Sequence, residues 1–95
     1  MIVFRPRIPP HVASTIAHLP PSAKRDVKQA LRILATDPHA GEPLQRALKG
    51  LWKYRVRSLR IVYRILVDVR HLQILAVGHR ATIYDYVRQQ DPRKP

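Results

Sequence analysis

Two apolar-basic runs set back to back, GLWKYRVRSLRIVY from Gly50 to Tyr63, constrain this chain more than any other feature. Successive residues of a β-strand point to opposite faces, so Trp52, Tyr54 and Val56 can pack inward while Lys53, Arg55 and Arg57 line the other side. The outcome is a ladder of cations on one face of a sheet. Three β-rich runs follow one another closely, Leu51 to Ser58, Leu59 to Val67 and Leu72 to Val77, with turns near Ser58 and at 69–71. Connections this short suggest an antiparallel meander. Arg60 and Tyr63 belong to the second run, and VGHRATIY at Val77 to Tyr84 ends the third, so three strand ends can bring their charges together. A phosphate fits such a place.

Upstream the period changes. IVF followed by RPR at Ile2 to Arg7 reads as a short outer strand, stopped by Pro6 and the Pro9-Pro10 pair. Val12, Ile16 and Leu19 fall at helical spacing until Pro20-Pro21. A second helix follows, capped by Ser22, with Val27, Leu31 and Leu34 as its buried stripe, Ala30 and Ile33 beside them, and Asp37-Pro38 as its stop. Lys24, Arg25, Lys28 and Arg32 occupy its other face. This αα-hairpin must be covered, and the strands supply the sheet. Residues 39–49 read as mostly loop, pinned by Leu44 and Leu48. Past Gly78 the pattern weakens to a brief helical turn at Asp85 to Gln90. One domain over residues 1–90 and a disordered tail over 91–95 are expected.

The chain has 95 residues, so its core is modest, and no cysteine is present to supplement it with a disulfide or thiolate metal site. Lys and Arg number 18 against 6 Asp and Glu, a formal charge of +12. Such a balance attracts polyanions, nucleic acid first and an acidic protein second. Neither a signal peptide nor a membrane span is visible, so a soluble cytoplasmic protein is expected.

Metal-dependent hydrolysis needs clustered carboxylates, yet Asp26, Asp37, Glu42, Asp68, Asp85 and Asp91 are scattered singly. The 5 histidines lack zinc spacing, and His11 and His18 read as surface residues of the first helix. No serine sits in a nucleophile elbow. No metal or cofactor is expected. What remains is chemistry in which an RNA 2′-hydroxyl attacks its own phosphodiester. Arg60 and Arg80 can hold the non-bridging oxygens as charge develops. Lys53 can act as base, with Arg55 and Arg57 favouring its neutral form. Tyr84 or Tyr86 can stack on a base or position the phosphate. Lys49, Arg57 and His79 are candidate RNA contacts, His79 standing equally for acid–base work or a plain strand end. Lys53, Arg55 and Arg57 also admit a simpler role as a solvated strand face. Tyr63 and Trp52 read as packing residues, Arg64 and Arg70 as surface charges.

The order short strand, helical hairpin, WKYRVRSLRIVY and VGHRATIY resembles the RelE toxins of toxin–antitoxin pairs, within the RelE/ParE superfamily. The resemblance spans nearly the whole chain and rests on Leu48 and Gly50, on Arg60 followed by an apolar pair and Tyr63, and on Gly78-His79-Arg80 followed by Tyr84. It implies a small α+β fold, a twisted antiparallel sheet packed on the N-terminal helical hairpin. It also implies ribosome-dependent, metal-free cleavage of mRNA in the decoding site, leaving a cyclic phosphate, and a cognate antitoxin that wraps the toxin. By position, Lys53 and Arg55 match the family's basic strand pair, Arg60 its phosphate-binding arginine, Arg80 its acid or charge-stabilising arginine, and Tyr84 its C-terminal tyrosine. Many relatives carry a glycine-aspartate turn and an aromatic before that arginine, where this chain has Arg57, Ser58 and Leu59. Two other readings share the features: a ParE-like inhibitor of DNA gyrase, and an RNA-binding module without catalysis.

Overall fold

A computed structural model describes residues 2–79 and 82–90, the side chains of Thr82, Asp85, Tyr86 and Gln90 excepted. Arg80, the side chain of Tyr86 and the tail over 91–95 thus lie outside the described residues. Strand β1 (Arg5–Arg7) leads into helices α1 (Pro10–Ala17) and α2 (Pro21–Thr36). Strands β2 (Glu42–Pro43), β3 (Trp52–Val56), β4 (Leu59–Leu66) and β5 (His71–Gly78) follow, then helix α3 (Thr82–Gln90). The five strands form one sheet in the order β1-β5-β4-β3-β2. β1 runs parallel to β5, and every other pairing is antiparallel. The expected α+β architecture and meander are both present.

Alternation sorts the strands into two faces. Leu59, Ile61, Tyr63, Leu72, Ile74 and Val56 pack with Val12, Ile16, Val27, Ala30, Leu31 and Leu34 of the hairpin. The opposite face carries Val62, Leu75 and Ala76, which pack with Leu48, Leu51 and Val87, with Ile83 and Tyr84 alongside. A bulge makes this possible. Val62 pairs with Ala76 but Tyr63 pairs with Ile74, so Leu75 is an extra residue and the parity of β5 changes there. Leu75 and Ala76 therefore both face α3, and Val77 returns to the hairpin side.

Four sequence expectations need correction. Ser22 lies inside the first turn of α2, whose N-cap is Pro20, because Pro21 at the first helical position already has the required φ. The segment read as loop contains the two residues of β2 and short 3-10 turns at Pro38–Ala40 and Arg46–Leu48. The C-terminal helix starts at Thr82 rather than Asp85, stabilised by burial of Val87 against the sheet. A second helical layer, not only the hairpin, thus covers the sheet. Gly50 takes φ 97°, a left-handed turn that delivers Leu51 fully buried into this second cluster.

Candidate functional site

Of the expected charges, Arg55 and Arg60 stand together near the end of the sheet formed by the β3–β4 turn and the last residues of β5. Arg55 pairs directly with Arg60 across β3 and β4, and Arg60 pairs with Gly78 across β4 and β5. All three lie on the α3 side. The Arg60 guanidinium donates to the His79 carbonyl at 2.9 Å, and the His79 ring Nδ1 lies 3.1 Å from the Ser58 hydroxyl. Gly78 has a steric role, since a Cβ there would run into the Ile83 side chain where α3 approaches the strand.

Like charges directly opposite each other in a sheet are unfavourable by a few tenths to about 1 kcal/mol. Neither Arg55 nor Arg60 makes an ion pair among the described residues. Two arginines paired across adjacent strands without an ion-pair partner make a site suited to an anion, and a phosphodiester supplies two non-bridging oxygens for them. Lys53 stands next on the same face, with its ammonium 3.9 Å from the Glu42 carboxylate. Glu42 was legible only as a loop residue, because a two-residue strand leaves no periodic signal.

Arg57 belongs elsewhere. It occupies the hairpin turn with φ 56° and pairs with Asp26 of α2, reaching toward the helical hairpin rather than along the line of Lys53 and Arg55. A positive φ followed by Ser58 is the pattern of a turn in which glycine is usual. Lys49 is exposed beyond the 3-10 turn and outside the sheet. Tyr84 is half-buried against the second cluster, and its hydroxyl is buried with no hydrogen-bond partner among the described residues.

Tyr63 is fully buried on the other face and donates to the Pro38 carbonyl at 2.6 Å. Burial pushes its phenol up to about 12, assisted by the charge of Asp37 and opposed by a hydrogen bond from the Gly41 backbone. It is a packing residue. Trp52, also half-buried, meets His39 edge-on with ring centres 5.0 Å apart. Among the described residues no three His, Asp or Glu side chains stand together as a metal site, and no helix is long and apolar enough to cross a membrane.

Comparison with known proteins identifies the family. Residues 8–84 match the family model described as the ParE toxin of type II toxin–antitoxin system, parDE. The toxin in the RelBE2 toxin–antitoxin complex of Mycobacterium tuberculosis is similar at 30% identity, with a TM-score of 0.76 over 85% of this chain and 95% of that one. A doubly substituted RelE toxin of Escherichia coli in the free state superposes with a TM-score of 0.78 at 16% identity, over 94% and 98% of the two chains. A YoeB/ParE toxin from Agrobacterium tumefaciens gives 0.71 at 18% identity, over 81% and 99%. No curated protein matches significantly. With most of its length matched by the family model and a RelBE2 relative at this identity, the chain belongs to the RelE/ParE superfamily of type II toxin–antitoxin toxins.

Proposed function

We propose that this toxin is a metal-free endoribonuclease that cuts mRNA in the decoding site of the ribosome. The observation that carries this reading is the Arg55–Arg60 pair, two arginines opposite each other near Ser58 and His79, neither in an ion pair among the described residues. In the proposed reaction the RNA 2′-oxygen forms a bond to the adjacent phosphorus as the bond to the 5′-oxygen breaks. The 2′-hydroxyl proton passes to Lys53 in its neutral amine form, and the departing 5′-oxygen takes a proton from the Arg80 guanidinium. The products are a cyclic phosphate and a 5′-hydroxyl. Arg55 and Arg60 hold the non-bridging oxygens and stabilise the added charge. The Tyr84 ring positions the nucleotide, and Lys49, His79 and Tyr86 contribute RNA contacts. The cognate antitoxin is the cellular partner that blocks this face, and the toxin–antitoxin complexes among the similar structures support that partner.

The match to the ParE toxin model favours one second reading, an inhibitor of DNA gyrase with no nuclease activity. Primer extension on a defined mRNA in a purified translation system separates the two. Cuts at decoding-site codons that require ribosomes and vanish in Arg80→Ala are expected. An uncut message with normal translation, together with loss of gyrase supercoiling, would establish the second reading.

A further inference from the structure

A second group of cations lies on the α3 side of the sheet, away from Arg55 and Arg60. β1 pairs Arg5 with His71 and Arg7 with Gln73, while β4 pairs Arg64 with the same Gln73. Paired residues share a face, so Gln73 sits between two arginines about 4.8 Å away on either strand. Its Oε1 is buried and has no hydrogen-bond partner among the described residues. Arg5, Arg7 and Arg64 make no ion pair among those residues. The apolar row of Val62 and Ala76, covered by α3, lies between this group and the Arg55–Arg60 pair.

A cavity of about 400 Å3 opens at the same place. β1 covers only residues 71–73 of β5, and the chain then turns away through Ile8 and Pro9 into α1. The uncovered edge of β5 leaves a hollow walled by Arg7, Ile8, Pro9, His11, Gln73 and Leu75. His11 lines it, with its ring Nε2 3.4 Å from the Leu75 carbonyl. An amide whose acceptor is unused, flat side chains among the walls, Arg7 in the lining and Arg5 and Arg64 on the same face have one common ligand. Once the Gln73 side chain turns its buried amide into the cavity, the amide reads a base edge, the imidazole and proline rings flank the base, and the arginines hold phosphates.

We infer that the Arg7–His11–Gln73 cavity binds an unstacked nucleotide of single-stranded RNA, with Arg5, Arg7 and Arg64 on its flanking phosphates. The inference deepens the nuclease reading and rests on it for the choice of RNA, yet it is measured without cleavage. Fluorescence anisotropy of a short labelled single-stranded RNA, and of its abasic counterpart, is followed with the full chain carrying Arg60→Ala, so that the other site is weakened. Adding Gln73→Ala should weaken the base-bearing RNA by about tenfold and leave the abasic strand unchanged. Adding Arg7→Ala should weaken both strands and lower the salt dependence by about one counterion. Gln73→Glu gains two arginine neighbours and keeps the fold, and it should bind RNA more weakly than Gln73→Ala. Base-bearing RNA held as tightly by the Gln73 variants as by their parent overturns the inference. So does loss of affinity for the antitoxin alone, which would assign the cavity to a protein side chain. A failure of ribosome-dependent cutting would be read in the separate cleavage assay.

Discussion

The two faces of this sheet are built from the same strands and obey opposite rules. Toward the hairpin, Leu34, Leu59, Ile61, Tyr63 and Leu72 are almost fully buried, and the phenol of Tyr63 is satisfied by the Pro38 carbonyl. Toward α3, Arg55 opposes Arg60, Arg64 and Arg7 flank Gln73, and two polar atoms are buried without described partners. The first face is what stability alone selects. The second accepts like-charge repulsion and unsatisfied groups, and such costs persist where a ligand relieves them. The difference is why we place the proposed function on the α3 side.

Substitutions on each face can break or sharpen this contrast. Leu34→Ala, in the fully buried hairpin core, should lower stability by about 3 kcal/mol in denaturant unfolding. Val87→Ala on α3 should lower it by about 2 kcal/mol, since that residue is equally buried. An effect at Val87 near zero would mean that α3 is not a stable cover. Tyr63→Phe leaves the Pro38 carbonyl unpaired and should cost about 2 kcal/mol.

Tyr63 also sets an alkaline limit. The folded chain holds its phenolic proton more tightly than the unfolded chain, with a pKa of about 12 against 10.0. Its contribution is therefore complete below pH 10 and is lost as pH rises toward 12, by about 3 kcal/mol in all. In Tyr63→Phe this part of the alkaline decline should disappear from a stability–pH profile.

The smaller effects come from charges. Arg55→Ala should raise stability by about 0.5 kcal/mol, because the repulsion with Arg60 is removed. Asp26→Ala should lower it by less than about 0.5 kcal/mol, since Arg57 in that pair is 65% exposed. A larger loss in Asp26→Ala would mean that the ion pair holds Arg57 in its left-handed turn.

Much of the fold was legible because period is a local property. The hairpin stripe of Val27, Leu31 and Leu34 and the alternation of Trp52, Tyr54 and Val56 both survive in the structure. The cation ladder was legible only in part. Lys53 and Arg55 share a face, but Arg57 lies in the turn, where alternation ends and Asp26 attracts it. The α3 layer was not legible as a layer, because Ile83, Tyr84 and Val87 become a core stripe only against the apolar patch that the Leu75 bulge creates. Nor was the cavity beside Gln73, which depends on β1 joining the sheet parallel to β5 through a long-range pairing.

The central claim is that the charges on the α3 side serve a ligand and not the fold. Arg60→Ala tests it most directly, measured for unfolding free energy and for ribosome-dependent mRNA cleavage in one preparation. Losing the bond to the His79 carbonyl and the repulsion with Arg55 together should leave stability within about 1 kcal/mol of the wild type. Cleavage should fall by about a hundredfold or more. A variant that unfolds while its folded fraction still cuts at the wild-type rate would contradict the account, making Arg60 part of the scaffold.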